Sequence, residues 1–216
     1  LERSYYTLGS SPTFLGTVGG KAIFSVRGEA NAYVWITDGT PEGTLPLPIG
    51  SRDEVNPPQL VALGTAGSHF FLLERESGLG EGAILAIDAE GAVTRVLESD
   101  DIWEFYYLDS PATFRVVGRK LALALSSQFL QQSDLAFIDG DTLALEFALT
   151  LTTGAVQLLG SIGNELVFSR DDYEASTSTL GRSGGTAATT SEYATLPGSP
   201  DGDRAASAEG RVFFAV

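Results

Sequence analysis

Apolar residues in this chain come in short runs, several of them alternating with polar positions, and Gly, Pro, Asp, Asn or Ser soon closes each run. No long stretch carries apolar residues at helical period, so the pattern predicts strands separated by turns. The clearest runs follow a glycine: "GGKAIFSV" at Gly19–Val26, "AGSHFFLL" at Ala66–Leu73, "VGRKLALAL" at Val117–Leu125, "IGNELVFS" at Ile162–Ser169 and "AEGRVFFAV" at Ala208–Val216. Their anchor glycines, Gly20, Gly67, Gly118, Gly163 and Gly210, are 47, 51, 45 and 47 residues apart. Self-similarity at that period marks a repeat architecture, to be read unit by unit.

Within a unit, a second apolar segment precedes the anchor, and three of these close with the same step: Leu15-Gly16-Thr17, Leu63-Gly64-Thr65 and Leu159-Gly160-Ser161. The two segments read as a hairpin, strands A and B, turned at the anchor because glycine takes positive φ without steric cost. Strand C follows in "YVWITDG", "AILAIDAEG", "DLAFIDGD" and, more weakly, "STLGRSGG", with Asp38, Asp88 and Asp139 at equivalent places. Strand D follows in "TLPLPI", "AVTRVLE", "TLALEFAL" and "TSEYATL". Linkers bearing proline lead to the next unit at Ser10-Ser11-Pro12, Asn56-Pro57-Pro58, Ser110-Pro111 and Ser199-Pro200, where a residue without a donor suits the end of a strand. Four meandering strands per unit at this period predict an all-β fold, a β-propeller of four-stranded antiparallel blades. The blades span about residues 13–50, 59–99, 112–151 and 156–196, with a partial or composite fifth made of 204–216 and 3–8.

The segment "YVWITDGTPEGT", Tyr33–Thr44, combines strand formers with Asp38-Gly39-Thr40, a turn in which the Asp folds onto its own backbone. It resembles the repeat written ELWxTDGTxxGT, found in large secreted or surface-associated bacterial proteins and similar to hyalin-type and propeller repeats. The match covers Val34–Thr44, with Tyr33-Val34 in place of Glu-Leu, and decays in the other units to an Asp, a Gly and the strand pattern. The resemblance implies a propeller in an extracellular or envelope protein and brings no catalytic residue with it, since its Asp, Gly and Thr are turn formers.

Thirteen basic against twenty-eight acidic side chains give a net charge of −15, which repels phosphate backbones and anionic membrane surfaces. Nucleic acid is therefore excluded as an expected partner, and no apolar run approaches the length of a membrane span. The chain has neither cysteine nor methionine, so thiolate sites are excluded and a processed or excised piece of a longer protein is expected. Tyr5–Pro12, "YYTLGSSP", resembles Tyr193–Pro200, "YATLPGSP". Strand-like Tyr5–Leu8 and Arg211–Val216 are thus expected to pair with each other, closing a ring, or with another chain or an upstream segment.

For chemistry the chain offers little. His69 is the single histidine and adjoins Phe70 and Phe71, as a half-buried strand residue would. Asp139-Gly140-Asp141, Asp171-Asp172 and Asp201-Gly202-Asp203 bring carboxylates together in turns that suit either calcium or plain turn formation, and no metal site or cofactor is expected from them. Asp100–Tyr107, "DDIWEFYY", gathers Trp103, Phe105, Tyr106 and Tyr107 in the longest connection between units. These four are the candidate binding residues, as a platform for sugar rings or an anchor for a protein, unless alternate members turn inward to cover a blade edge. The reading is a non-catalytic binding or scaffolding propeller with a protein or glycan partner, at the bacterial cell surface or outside it. The alternatives are a glycan-active enzyme using paired carboxylates and a lectin-like sugar-binding propeller. The lectin reading is weakened because Trp35 has no aromatic counterpart at Ala86.

Overall fold

A computed structural model describes residues 11–27, 32–49, 58–75, 82–98, 112–127, 132–172 and 174–216. The first unit forms β1 (Ser11–Val18), β2 (Lys21–Arg27), β3 (Ala32–Thr37) and β4 (Leu45–Pro46). The second forms β5 (Gln59–Ala66), β6 (His69–Arg75), β7 (Gly82–Ile87) and β8 (Val93–Glu98). The third forms β9 (Phe114–Val117), β10 (Lys120–Ser127), β11 (Gln132–Asp139) and β12 (Leu145–Leu151). The fourth forms β13 (Ala155–Ile162), β14 (Glu165–Asp172), β15 (Thr177–Ser183) and β16 (Thr190–Pro197). Each is a separate four-stranded antiparallel sheet in sequence order, and β17 (Ala206–Ala208) with β18 (Arg211–Phe213) opens a fifth. The fold is an all-β propeller of four-stranded blades. Residues 3–8, expected to complete the fifth blade, lie outside the described residues.

All five A–B connections are two-residue hairpin loops, whose backbone must twist with the strands. Gly67, Gly118 and Gly163 have φ of 56°, 59° and 61° at the first loop position. In the first and last units both loop residues are left-handed, Gly19 with Gly20 and Glu209 with Gly210. Gly20 and Gly210 are therefore second-position residues, one place later than the other three anchors. The Leu-Gly-Thr/Ser step also acquires a cause, because each copy is a β-bulge at which the pairing slips past Leu15, Leu63 or Leu159.

The bulge glycine is where one blade admits the next. A Cβ on Gly16 would lie 2.3 Å from the Phe70 ring of blade 2, one on Gly64 3.0 Å from Val116 of blade 3, and one on Gly160 2.3 Å from Ser207 Oγ of the fifth unit. The A strands follow one another through the array, and Thr65 Oγ1 donates to the Thr17 carbonyl while Ser207 Oγ accepts from the Ser161 amide. Ser11-Pro12, expected in a linker, instead begins β1. That position is tolerable because β1 is an edge strand.

Alternation does the rest. In β6, Phe70 and Leu72 pack toward blade 1 with Ile23, Val34 and Ile36, whereas Phe71 and Leu73 pack toward blade 3 with Leu121 and Leu123. Phe70 and Phe71 are 1% and 0% exposed, so both faces of this strand are buried and its apolar run is continuous. Leu135 and Phe137 meet Leu166 and Phe168 between blades 3 and 4, and Leu159 and Val167 meet Val212 beyond them.

Candidate functional site

The A–B and C–D turns share one end of the blades, and there the polar residues serve the stacking. The A–B hairpins of blades 1, 2 and 3 abut the C–D turn of the following blade. A Cβ on Gly19 would lie 2.4 Å from the Ala89 Cβ, and one on Gly67 2.5 Å from the Gly140 carbonyl carbon. Lys120 Nζ donates to the Gly184 carbonyl at 3.2 Å. Between blades 2 and 3, the Gly140 carbonyl accepts from the Ser68 amide at 3.0 Å and from His69 Nδ1 at 2.8 Å. A carbonyl only accepts, so His69 carries its proton on Nδ1 and acts as a latch between blades.

The three equivalent aspartates fold onto their own turns as expected. Asp38 Oδ1 accepts from the Thr40 amide and hydroxyl at 2.9 and 2.7 Å, Asp88 Oδ1 from the amides of Glu90 and Ala92, and Asp139 Oδ1 from those of Asp141 and Thr142. The Thr40 hydroxyl and then its amide hold the Asp38 carboxyl below its ordinary range; the Thr142 and Asp141 amides do the same for Asp139. Asp141 pairs with Arg119 at 2.7 Å.

Blade 4, which lacks the Asp, keeps the turn by another route that the sequence had hidden. Thr37 and Thr44 hydroxyls bond at 2.7 Å, as do those of Ser183 and Thr190. The Gly39 amide donates to Thr37 Oγ1 as the Gly185 amide does to Ser183 Oγ, and Thr44 Oγ1 donates to the Thr40 carbonyl as Thr190 Oγ1 does to that of Thr186. Thr37–Thr44 and Ser183–Thr190 are thus one turn in register, with Gly184 in the place of Asp38.

At the opposite end, blade 4 carries a cleft of about 220 Å³ lined by Asp171, Asp172, Ser176, Thr177, Ser178, Gly198 and Ser199. Asp171, only 3% exposed, forms its floor. Its Oδ1 accepts from Ser178 Oγ at 2.6 Å, and its Oδ2 from Ser199 Oγ at 2.6 Å and Gln157 Nε2 at 2.8 Å. Gln157 Oε1 in turn accepts from the Gly202 amide at 3.1 Å, fixing the amide so that its NH₂ faces the carboxylate. Ser176 lines the cleft at a φ of 52°, a conformation costly for a residue with a side chain. The Asp171-Asp172 pair was visible in sequence, but its companions arrive from β13, β15 and the turn after β16. Ser178 is 0% exposed, and nothing local in the sequence marks it as buried beside a carboxylate.

Asp172 accepts from the amides of Glu174 and Ala175, and Asp201 from those of Asp203 and Arg204, as turn and cap residues do. Among the described residues no group of three or more His, Cys, Asp or Glu is placed to hold a metal ion. Asp134, 1% exposed, accepts from Gln132 Nε2 through one oxygen and has, among the described residues, no hydrogen-bond partner on the other. Trp103, Phe105, Tyr106 and Tyr107 lie outside the described residues, in the connection from β8 to β9.

No protein-family model matches the sequence, and no curated protein matches it. Among solved structures, a chain from a structural and mechanistic analysis of two prolyl endopeptidases, concerned with inter-domain dynamics in catalysis and specificity, superposes with a TM-score of 0.50 at 11% identity. The match covers 91% of this chain and 28% of that one, so this chain spans well under a third of its neighbour's length. Such a likeness concerns the fold alone.

Proposed function

We propose that this chain is a non-catalytic binding or scaffolding propeller module of a secreted or cell-surface bacterial protein, with a protein or glycan partner. The observation that carries the reading is how its reactive-looking side chains are employed. His69 latches two blades, Asp38, Asp88 and Asp139 close turns, and Asp171 is fully engaged by two hydroxyls and an amide. The location rests on the resemblance of Val34–Thr44 to the repeat of surface-associated proteins. The acidic surface, with its net charge of −15, argues against nucleic acid, and no helix of the described residues is long and apolar enough to cross a membrane.

The blade 4 cleft favours a second reading, a sugar-binding site, because a mostly apolar surface with a few hydroxyls and carboxylates set into it is how small-ligand clefts are built. One experiment addresses both. Nuclear magnetic resonance titration with a panel of oligosaccharides and peptides is expected to give saturable shifts without turnover. Shifts centred on Thr177, Ser178 and Ser199 support the sugar site; hydrolysis of any panel member that is abolished by Asp171→Asn overturns the non-catalytic reading.

A further inference from the structure

The floor of the blade 4 cleft is built from hydrogen-bond acceptors whose neighbouring protons are already committed. Asp171 Oδ1 takes the Ser178 hydroxyl proton at 2.6 Å, and its Oδ2 takes that of Ser199 at 2.6 Å. Gln157 Nε2 donates to Asp171 Oδ2 at 2.8 Å and to Ser199 Oγ at 3.0 Å, which uses both amide protons. A hydroxyl that has given its one proton can only accept, so Ser199, which is exposed, offers a ligand a lone pair and no donor. The Gly198 amide is committed as well, to the Ser176 carbonyl at 3.2 Å.

Charge points the same way. Asp171 and Asp172 both line the cleft, and its lining comes entirely from blade 4 and the turn that leaves it. Asp172 accepts the Glu174 and Ala175 amides through Oδ1 alone. Among the described residues neither carboxylate is in an ion pair, and Arg170, the preceding residue on β14, pairs instead with Glu192 at 2.9 Å. The hydroxyls of Ser176 and Thr177 can turn either way to suit a ligand.

We propose that the cleft holds a primary ammonium group carried by a sugar ring, that is, an amino sugar whose amine is free. The proposal rests on the sugar-binding reading of the cleft and names the class of its ligand. An ammonium has three donors and no acceptor, so it complements a floor of acceptors with two carboxylates, as an uncharged sugar does not. Acetylation of the amine leaves one N–H, removes the charge and adds an acceptor that finds no donor on the floor. A volume of about 220 Å³ is below the ~300–1,000 Å³ of pockets that take drug-sized ligands, so the cleft suits one ring rather than a chain. The net charge of −15 draws a cation toward the protein, and added salt should weaken the binding by screening.

Nuclear magnetic resonance titration with glucosamine, N-acetylglucosamine and glucose, at pH 6 where the amine is protonated, tests the assignment. Glucosamine is expected to shift the amides of Thr177, Ser178 and Ser199 saturably and to bind about tenfold tighter than either neutral sugar, as a charge-assisted hydrogen bond implies. Asp172→Asn keeps the Oδ1 acceptor of its turn and removes the charge, so it should lower that preference while circular dichroism stays native. Equal binding of the three sugars overturns the ammonium assignment and leaves the sugar site standing, whereas shifts by none of them at these residues overturn both. Lysine amide that binds as tightly as glucosamine shows that the ring contributes nothing and overturns the assignment to a sugar.

Discussion

At Gly16 a single hydrogen in place of a methyl group decides whether blades 1 and 2 can meet. A Cβ there would stand 2.3 Å from the Phe70 ring, whereas one on Gly163 meets nothing within 4 Å and offends only through a φ of 61°. Gly16→Ala is expected to cost about 1–3 kcal/mol by overpacking, and Gly163→Ala about 1–2 kcal/mol by backbone strain. Urea denaturation in a Phe70→Leu background separates the causes: the Gly16 penalty should shrink there and the Gly163 penalty should not. The carboxylates give a pH signature. Asp38 and Asp139 are held below their ordinary value of 3.8 in the folded state, so their contribution is complete above that value and is lost as the pH falls through the lower folded-state one. Stability should therefore decline below about pH 4, and Asp139→Asn should lose less between pH 6 and pH 3 than the native chain. The turn roles of these aspartates were legible because Asp-Gly steps act locally. The role of Gly16 was not, because its cause is a ring from the next blade.

At the level of elements, the strands and their order were legible from the period, since alternation and two-residue loops are written in neighbouring residues. What escaped was anything hidden by a substitution in the repeat or assembled from residues far apart along the chain. The blade 4 turn repeats that of blade 1 through hydroxyls, and the substitution of Gly184 for the Asp hid the register. Likewise the cleft draws Gln157, Asp171, Ser178 and Ser199 from four places in blade 4. The latch at His69 predicts a modest effect: His69→Ala should cost about 1 kcal/mol, the net worth of one hydrogen bond. Phe71→Ala, two residues on, empties a site that is 0% exposed between blades 2 and 3 and should cost about 3–5 kcal/mol. Thermal denaturation of the two variants ranks them, and a larger loss at His69 would mean that the turns, rather than the apolar faces, hold the blades together.

For the whole molecule, the claim on which everything else depends is that separate four-stranded sheets stack face to face, each with two inner strands paired on both sides. Hydrogen exchange resolved by residue tests it most directly, because amide protection follows pairing and burial. The account predicts protection that rises and falls with the repeat, slowest in β6, β7, β10, β11, β14 and β15 and faster in the edge strands β4, β8 and β12. The turns Gly67-Ser68 and Gly118-Arg119 should exchange between these limits, with the Ser68 amide slowed by its bond to Gly140. A profile without that period, or one in which β8 and β12 are protected as strongly as β7 and β11, would contradict the stacked-blade architecture.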